Sequence, residues 1–185
     1  MTVLPIVVAP DPLLKMKSEP VEKITPEIKQ LLNDMLDTMY ASNGIGLSAV
    51  QVGVLKRVIV VDTEWESPRY RTEGEERTDE KPKPGKPIKM INPEIVEESP
   101  EDNTYNEGCL SFPGQYSEVT RPKAIRLKYL DENGAEHQIT ADGLLATCLQ
   151  HEIDHMNGIV FVDHVSSLKR DMIMRKMKKA KKQES

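Results

Sequence analysis

No apolar run in this 185-residue chain approaches the roughly 20 residues that cross a bilayer, which argues against a membrane-spanning helix. A secretory or transit leader is also missing. Met1 to Pro12 is apolar in patches, but it has no basic start and carries Pro5, Pro10 and Pro12. Cysteine is scarce: Cys109 and Cys148 are the only two, too few for a disulfide framework. Without a secretory signal, ligation or burial is the better use of those thiols than a disulfide. A cytoplasmic protein follows as the default. With 30% charged and 38% hydrophobic residues, the chain suits one soluble domain over 1–185, long enough to bury a core. The net charge of −5 is unevenly spread. Leu168 to Lys182 holds eight Lys/Arg against Asp171, a tail of +7 that leaves −12 on the rest. So acidic a body excludes a protein that reads DNA through its core, while the basic tail is free to act separately.

Local patterns divide the chain into elements. Thr25-Pro26 opens a helix as N-cap and first residue. Ile28, Leu31, Leu32, Met35, Leu36, Met39 and Tyr40 supply its buried face, and Asn43-Gly44 ends it. The small-residue stretch Gly44 to Gly53 is not a dinucleotide fingerprint, because its third glycine is misplaced and no strand precedes it. It reads either as a backbone edge plus the Gln51 amide facing a ligand, or as a structural turn. Val58 to Val61 and Ile88 to Val96 read as strands. Between them Glu64–Pro87 holds seven acids, six bases and four prolines, a long solvated loop or splayed hairpin rather than a second domain. Ala124–Leu130 and Glu136–Thr140 form a hairpin across Asp131 to Gly134. Asp142 to Asn157 is a largely buried helix. Ile159–Val162 reads as a last strand, and Ser166 or Ser167 caps a basic C-terminal helix at 166–183.

The chemistry sits in the buried helix, at His151-Glu152-Ile153-Asp154-His155, an H-E-x-x-H pattern. Residues four apart stack on one helix face, so both imidazoles can reach one metal ion. Glu152, about 100° round the helix, stands beside that ion and can take a proton from its water. A catalytic site of this type needs a third protein ligand. The extended H-E-x-x-H-x-x-G-x-x-H pattern fails, since Phe161 stands at its last position. A downstream glutamate fails too, because only Glu184, in the tail, follows His155. Cys148 precedes His155 by seven residues, roughly 10 Å along the axis, which is too far for a shared ion. It reads as a pocket-lining or ordinary buried cysteine. Cys109, in an extended Gly-preceded segment, remains as ligand, with a buried free thiol as its bland alternative. One thiolate and two imidazoles suit Fe2+, Zn2+, Co2+ or Ni2+. His137 and His164 read as surface or turn residues.

Three stretches, Gly44-Ile45-Gly46-Leu47-Ser48-Ala49-Val50-Gln51, Glu107-Gly108-Cys109-Leu110-Ser111 and His151-Glu152-Ile153-Asp154-His155, together resemble the three signature motifs of peptide deformylases. The resemblance implies an α+β fold of antiparallel sheets packed around a central metal-binding helix, with a C-terminal helix. It implies removal of the formyl group from N-formylmethionine on new polypeptides. By position, Cys109, His151 and His155 would hold ferrous iron, which zinc, nickel or cobalt can replace. Glu152 would be the general acid and base, and Gln51 and the Leu110 N–H the oxyanion donors. Ile45 and Gly46 would pair with the substrate backbone, and Cys148 would line the methionine pocket. The basic helix would approach the ribosome.

Departures from the pattern carry expectations of their own. Ser48 stands where alanine is common and is expected only to adjust packing. Tyr116 stands where many bacterial members place a basic residue near the pocket rim, and Glu64–Pro87 is longer than usual. Glu107 and Arg121 read either as a charged pair behind the ligands or as two solvated charges. The rival functions are a small H-E-x-x-H metallopeptidase and a non-catalytic metal-binding or ribosome-associated module.

Overall fold

The helix predicted after Thr25 spans Pro26–Ala41 (α1); the Thr25 hydroxyl accepts from the Ile28 N–H at 3.4 Å, and Pro26 is its first residue. Asn43 follows at φ +60°, the left-handed conformation that stops the helix. The computed structural model describes residues 1–70 and 84–184, so the middle of the expected 64–87 loop, residues 71–83, lies outside the described residues.

After α1 come strands β1 (Gly46–Ser48), β2 (Val58–Val61), β3 (Ile88–Glu98), β4 (Asp102–Cys109), β5 (Phe112–Pro122), β6 (Ala124–Leu130) and β7 (Glu136–Asp142). Helices α2 (Gly143–Met156) and α3 (Ser167–Glu184) follow. Five strands form one antiparallel sheet in the order β1-β2-β3-β6-β7, and β4 and β5 pair in a separate hairpin. The expected α+β class holds. β2 is buried along its whole length, and its period of two assigns it to two cores. Val58 and Val60 pack with Leu32, Met35 and Met39 of α1. Ile59 and Val61 pack with Leu149, Ile153 and Met156 of α2. Each such apolar side chain contributes about 1.5–3 kcal/mol on burial, which fixes α2 as the central helix. A third core joins Phe112, Phe161 and Val162 to Ile173 and Met177 on the inner face of α3.

Two local expectations change. Ile159–Val162 is not a strand: a 3-10 turn runs from Phe161 to His164. The Asp163 carboxylate accepts from the Val160 N–H at 3.0 Å and the Asp163 N–H donates back to the Val160 carbonyl at 2.9 Å. A short apolar run does not reveal its own period, and here a side-chain turn prevails. The hairpin turn at 131–134 is present, with only Gly134 left-handed. Asp131 closes it by accepting from the Asn133 and Ala135 N–H groups. The charged excursion, expected as a solvated loop or splayed hairpin, has docked ends. Buried Asp62 accepts from the N–H groups of Glu64, Gly85 and Lys86 and from the Tyr40 hydroxyl. Burial and this carboxylate raise the Tyr40 pKa well above the usual phenol range. Trp65 is buried edge-on against Tyr40 and donates to the Gly44 carbonyl at 2.9 Å.

Candidate metal centre

Three elements converge on the face of α2 that carries His151 and His155. These rings lie 5.0 Å apart between centroids, both buried. Cys109 arrives from the end of β4, where a bulge after Gly108 and a tight turn to Phe112 push its sulfur toward the helix. Its Sγ lies 3.4 Å from His155 Nε2. One donor atom from each of Cys109, His151 and His155 lies within 4.8 Å of the others. With metal bonds of about 2.3 Å to sulfur and 2.1 Å to nitrogen, one ion can reach all three. The donor set therefore fits a divalent transition ion.

The imidazole of His151 is held from behind. Its Nδ1 lies 2.9 Å from Glu107 Oε1, which leaves Nε2 for a metal. Glu107 and Arg121 are a buried bidentate pair, at 2.7 and 3.0 Å, rather than two solvated charges. They stand on one face of the β4–β5 hairpin, with Arg121 opposite Asn103, four residues before Glu107. Arg121 also donates to Asp154 at 2.8 Å, and His164 Nε2 lies 2.7 Å from the same carboxylate oxygen. Neither Asp154 nor His164 is recognisable from sequence pattern as part of this chain of charges. Burial alone would raise Glu107 and Asp154, yet His151 and Arg121 hold Glu107 below the usual carboxylate range, and His164 and Arg121 do the same for Asp154. Burial likewise opposes charge on His151, but Cys109, Glu107 and Glu152 hold its pKa well above that of free imidazole. Burial and the neighbouring His151 push His155 well below.

Gln51 closes the opposite side. Its Oε1 accepts from the Ser48 N–H at 2.9 Å, which turns Nε2 toward Cys109 Sγ at 3.4 Å and Ser111 Oγ at 3.1 Å. An amide donor thereby points at the place where the three ligand atoms meet. Leu110 follows Cys109 in the hairpin turn and lines the same cavity.

That cavity, about 410 Å³, is lined by Ile45, Gly46, Leu144, Cys148 and Glu152. Cys148 stands away from the ligand trio and lines the pocket; burial, then Glu152 and Glu107, raise its thiol pKa well above the usual value. Gly46 is required by close approach: a Cβ there would stand 2.8 Å from both Cys148 Sγ and Glu152 Oε1. β1 is an edge strand of the five-stranded sheet, so one of its edges is left for another chain to pair with.

Ser48 overturns the expectation that it only adjusts packing. Its hydroxyl lies 2.7 Å from the Glu152 carbonyl oxygen and 2.9 Å from Glu152 Oε2. At the rim, Arg69 from the docked end of the charged excursion lies over the Tyr116 ring, 5.8 Å from its centroid. Arg69 also donates to the Tyr116 hydroxyl at 3.4 Å. A basic group therefore reaches the rim from another element, beyond the reach of any local pattern.

A sequence model of the polypeptide deformylase family matches residues 3–171. The peptide deformylase of Rhizobium meliloti (strain 1021) is 49% identical over 182 residues, covering 98% of this chain and 96% of that protein. The crystal structure of the peptide deformylase from Ehrlichia chaffeensis superposes with a TM-score of 0.84 at 47% identity, covering 97% of each chain. A structure from the same organism in complex with actinonin gives 0.85.

Proposed function

Because the chain belongs to the peptide deformylase family and removes the N-formyl group from nascent peptides, we propose that Cys109, His151 and His155 hold its catalytic ion and that this ion is ferrous iron. The observation that carries the proposal is the meeting of one thiol and two imidazoles within 4.8 Å beside a buried carboxylate. A divalent ion bound there supplies Lewis acidity and lowers the pKa of a coordinated water. Glu152 is the general base that takes the proton of the attacking water. Gln51 Nε2 and the Leu110 N–H meet the charge that grows on the formyl oxygen, and losing one such donor costs about 10²–10³ in rate. Glu152 then returns its proton to the nitrogen of the leaving amine, and formate departs. Gly46, at the start of the edge strand, and Ile45 just before it pair with the substrate backbone, and Cys148 lines the pocket for the methionine side chain.

The same donor set would serve a small metallopeptidase, but the family match does not favour it. Anaerobically prepared protein is expected to release formate from formyl-Met-Ala-Ser and to leave unformylated peptides uncut, with about one iron per chain in the same sample. Cys109→Ser is expected to lose iron and most of that activity; normal iron content and rate in this variant would remove Cys109 from the ligand set.

We further read 1–185 as a single catalytic domain working in the cytoplasm. Among the described residues no helix is long and apolar enough to cross a membrane. The exposed basic face of α3 is proposed to approach ribosomal RNA through counterion release. Deleting α3 would be a poor test, because Ile173 and Met177 belong to the core. Reversing the exposed Lys176 and Lys179 to glutamate tests the idea without touching that core. Ribosome affinity is expected to fall, and the slope of log affinity against log salt to shrink by about one for each lysine that had neutralised a phosphate. Unchanged affinity would assign α3 a purely structural role.

A further inference from the structure

Ser48 is completely buried at the end of β1, and no solvent reaches its hydroxyl. Its one hydrogen lies between two oxygens of the same residue, the Glu152 carbonyl at 2.7 Å and the carboxylate Oε2 at 2.9 Å. Such a three-centre arrangement ties a side chain to its own helix backbone through a third party on another element. The other carboxylate oxygen, Oε1, has no such donor and lies beside β1, 2.8 Å from the position a Gly46 Cβ would occupy, where Gly46, Cys148 and Glu152 all line the cavity. The two oxygens of Glu152 therefore stand in different surroundings, one engaged by the Ser48 hydroxyl and one beside Gly46 at the cavity wall.

We propose that Ser48 is a positioning residue for the deformylation reaction, holding Glu152 Oε2 so that Oε1 alone exchanges protons with the attacking water and the leaving amine. The inference rests on the reading of Glu152 as general acid and base. The proton balance is simple. One proton passes from water to Oε1 and later from Oε1 to the amine nitrogen, while Ser48 keeps its own hydrogen throughout. A glutamate has three rotatable bonds, and an untethered carboxyl spends part of its time turned away from the reacting atoms. Tethering one oxygen removes that freedom before substrate arrives, which is where catalytic geometry gains rate. The same serine turns Gln51 through its backbone N–H, so one residue sets both the base and an oxyanion donor. The hold on Glu152 passes through the hydroxyl and the hold on the Gln51 amide through the backbone N–H, so a change of side chain removes the first and spares the second.

Ser48→Ala deletes that hydroxyl and leaves the backbone N–H in place. The expected result is a fall of roughly tenfold in kcat with KM and iron content unchanged. A crystal structure of the variant should show the Glu152 carboxyl in more than one rotamer. In a Glu152→Ala background, adding Ser48→Ala should produce no further loss, because the serine acts only through that carboxylate. A wild-type kcat in Ser48→Ala, or a fall that persists undiminished without the Glu152 carboxyl, would overturn the proposal. So would a single unmoved Glu152 rotamer in the variant crystal. If Glu152→Ala itself kept its activity, the reading of Glu152 would fail first, and that result is distinct from a failure of Ser48 alone.

Discussion

Glu152→Ala is expected to keep its metal and lose turnover by at least about 10³-fold, near the upper part of the range for general acid–base groups. The carboxylate is 4% exposed, and its Oε2 is engaged by Ser48 rather than by Cys109, His151 or His155. Removing it therefore leaves the ligand trio and the Glu107 support behind His151 intact. The loss falls on the chemical step because, among the described residues, no other uncommitted carboxylate lines the pocket. Glu107 lines it too, but its oxygens are committed to Arg121 and His151. Burial raises the Glu152 pKa above the ordinary carboxylate value, with His151 and Ser48 pulling the other way. A carboxylate so raised is a stronger base toward the attacking water than an exposed one would be. Formate release and metal analysis on one preparation check the expectation, and near-normal turnover would assign the base elsewhere.

Arg121→Met is expected to cost about 3–5 kcal/mol of folding stability, because it removes one partner from a buried ion pair. Arg121 is 5% exposed and satisfies two carboxylates, Glu107 and Asp154, whose charges are tolerable only beside it. Burial opposes the charge on Arg121, but those two acids more than compensate and raise its pKa. The damage should spread to the metal, since Glu107 is the group that orients His151. Loss of such an outer partner typically costs about 10–100-fold in metal affinity. A pH signature goes with it. Glu107 and Asp154 have folded pKa values lowered from their ordinary ones, so their contribution is complete above the unfolded values and is lost as pH falls through the lowered folded ones. The variant, without Arg121, should lose less stability over that acidic window. Denaturation at several pH values and a metal titration check both parts; wild-type stability and affinity would mean the network contributes nothing net.

Much of the centre was legible because its rules are local. The spacing of His151 and His155 follows from helix geometry alone, and elimination left Cys109 from one short chain of reasoning. Other parts were hidden for a common reason: their partners are brought together by packing, not by spacing. Ser48 meets Glu152 across 104 residues, and Arg121 meets Asp154 across 33. The Gly-preceded segment around Cys109 read only as extended, yet it is one end of a long hairpin whose register places Glu107 and Arg121 on the same face. Arg69 reaches Tyr116 because Asp62 and Trp65 dock an excursion whose composition suggested only solvation.

By itself, the chain's order of residues determined which groups could bind a metal and which carboxylate could work beside it, because a helix repeats about every 3.6 residues whatever surrounds it. Only the tertiary structure decided how those groups are held: which oxygen of Glu152 meets Ser48, what stands behind His151, and which cation lies against Tyr116. Those choices depend on contacts between residues far apart in the chain, and such contacts exist only once the three cores have closed.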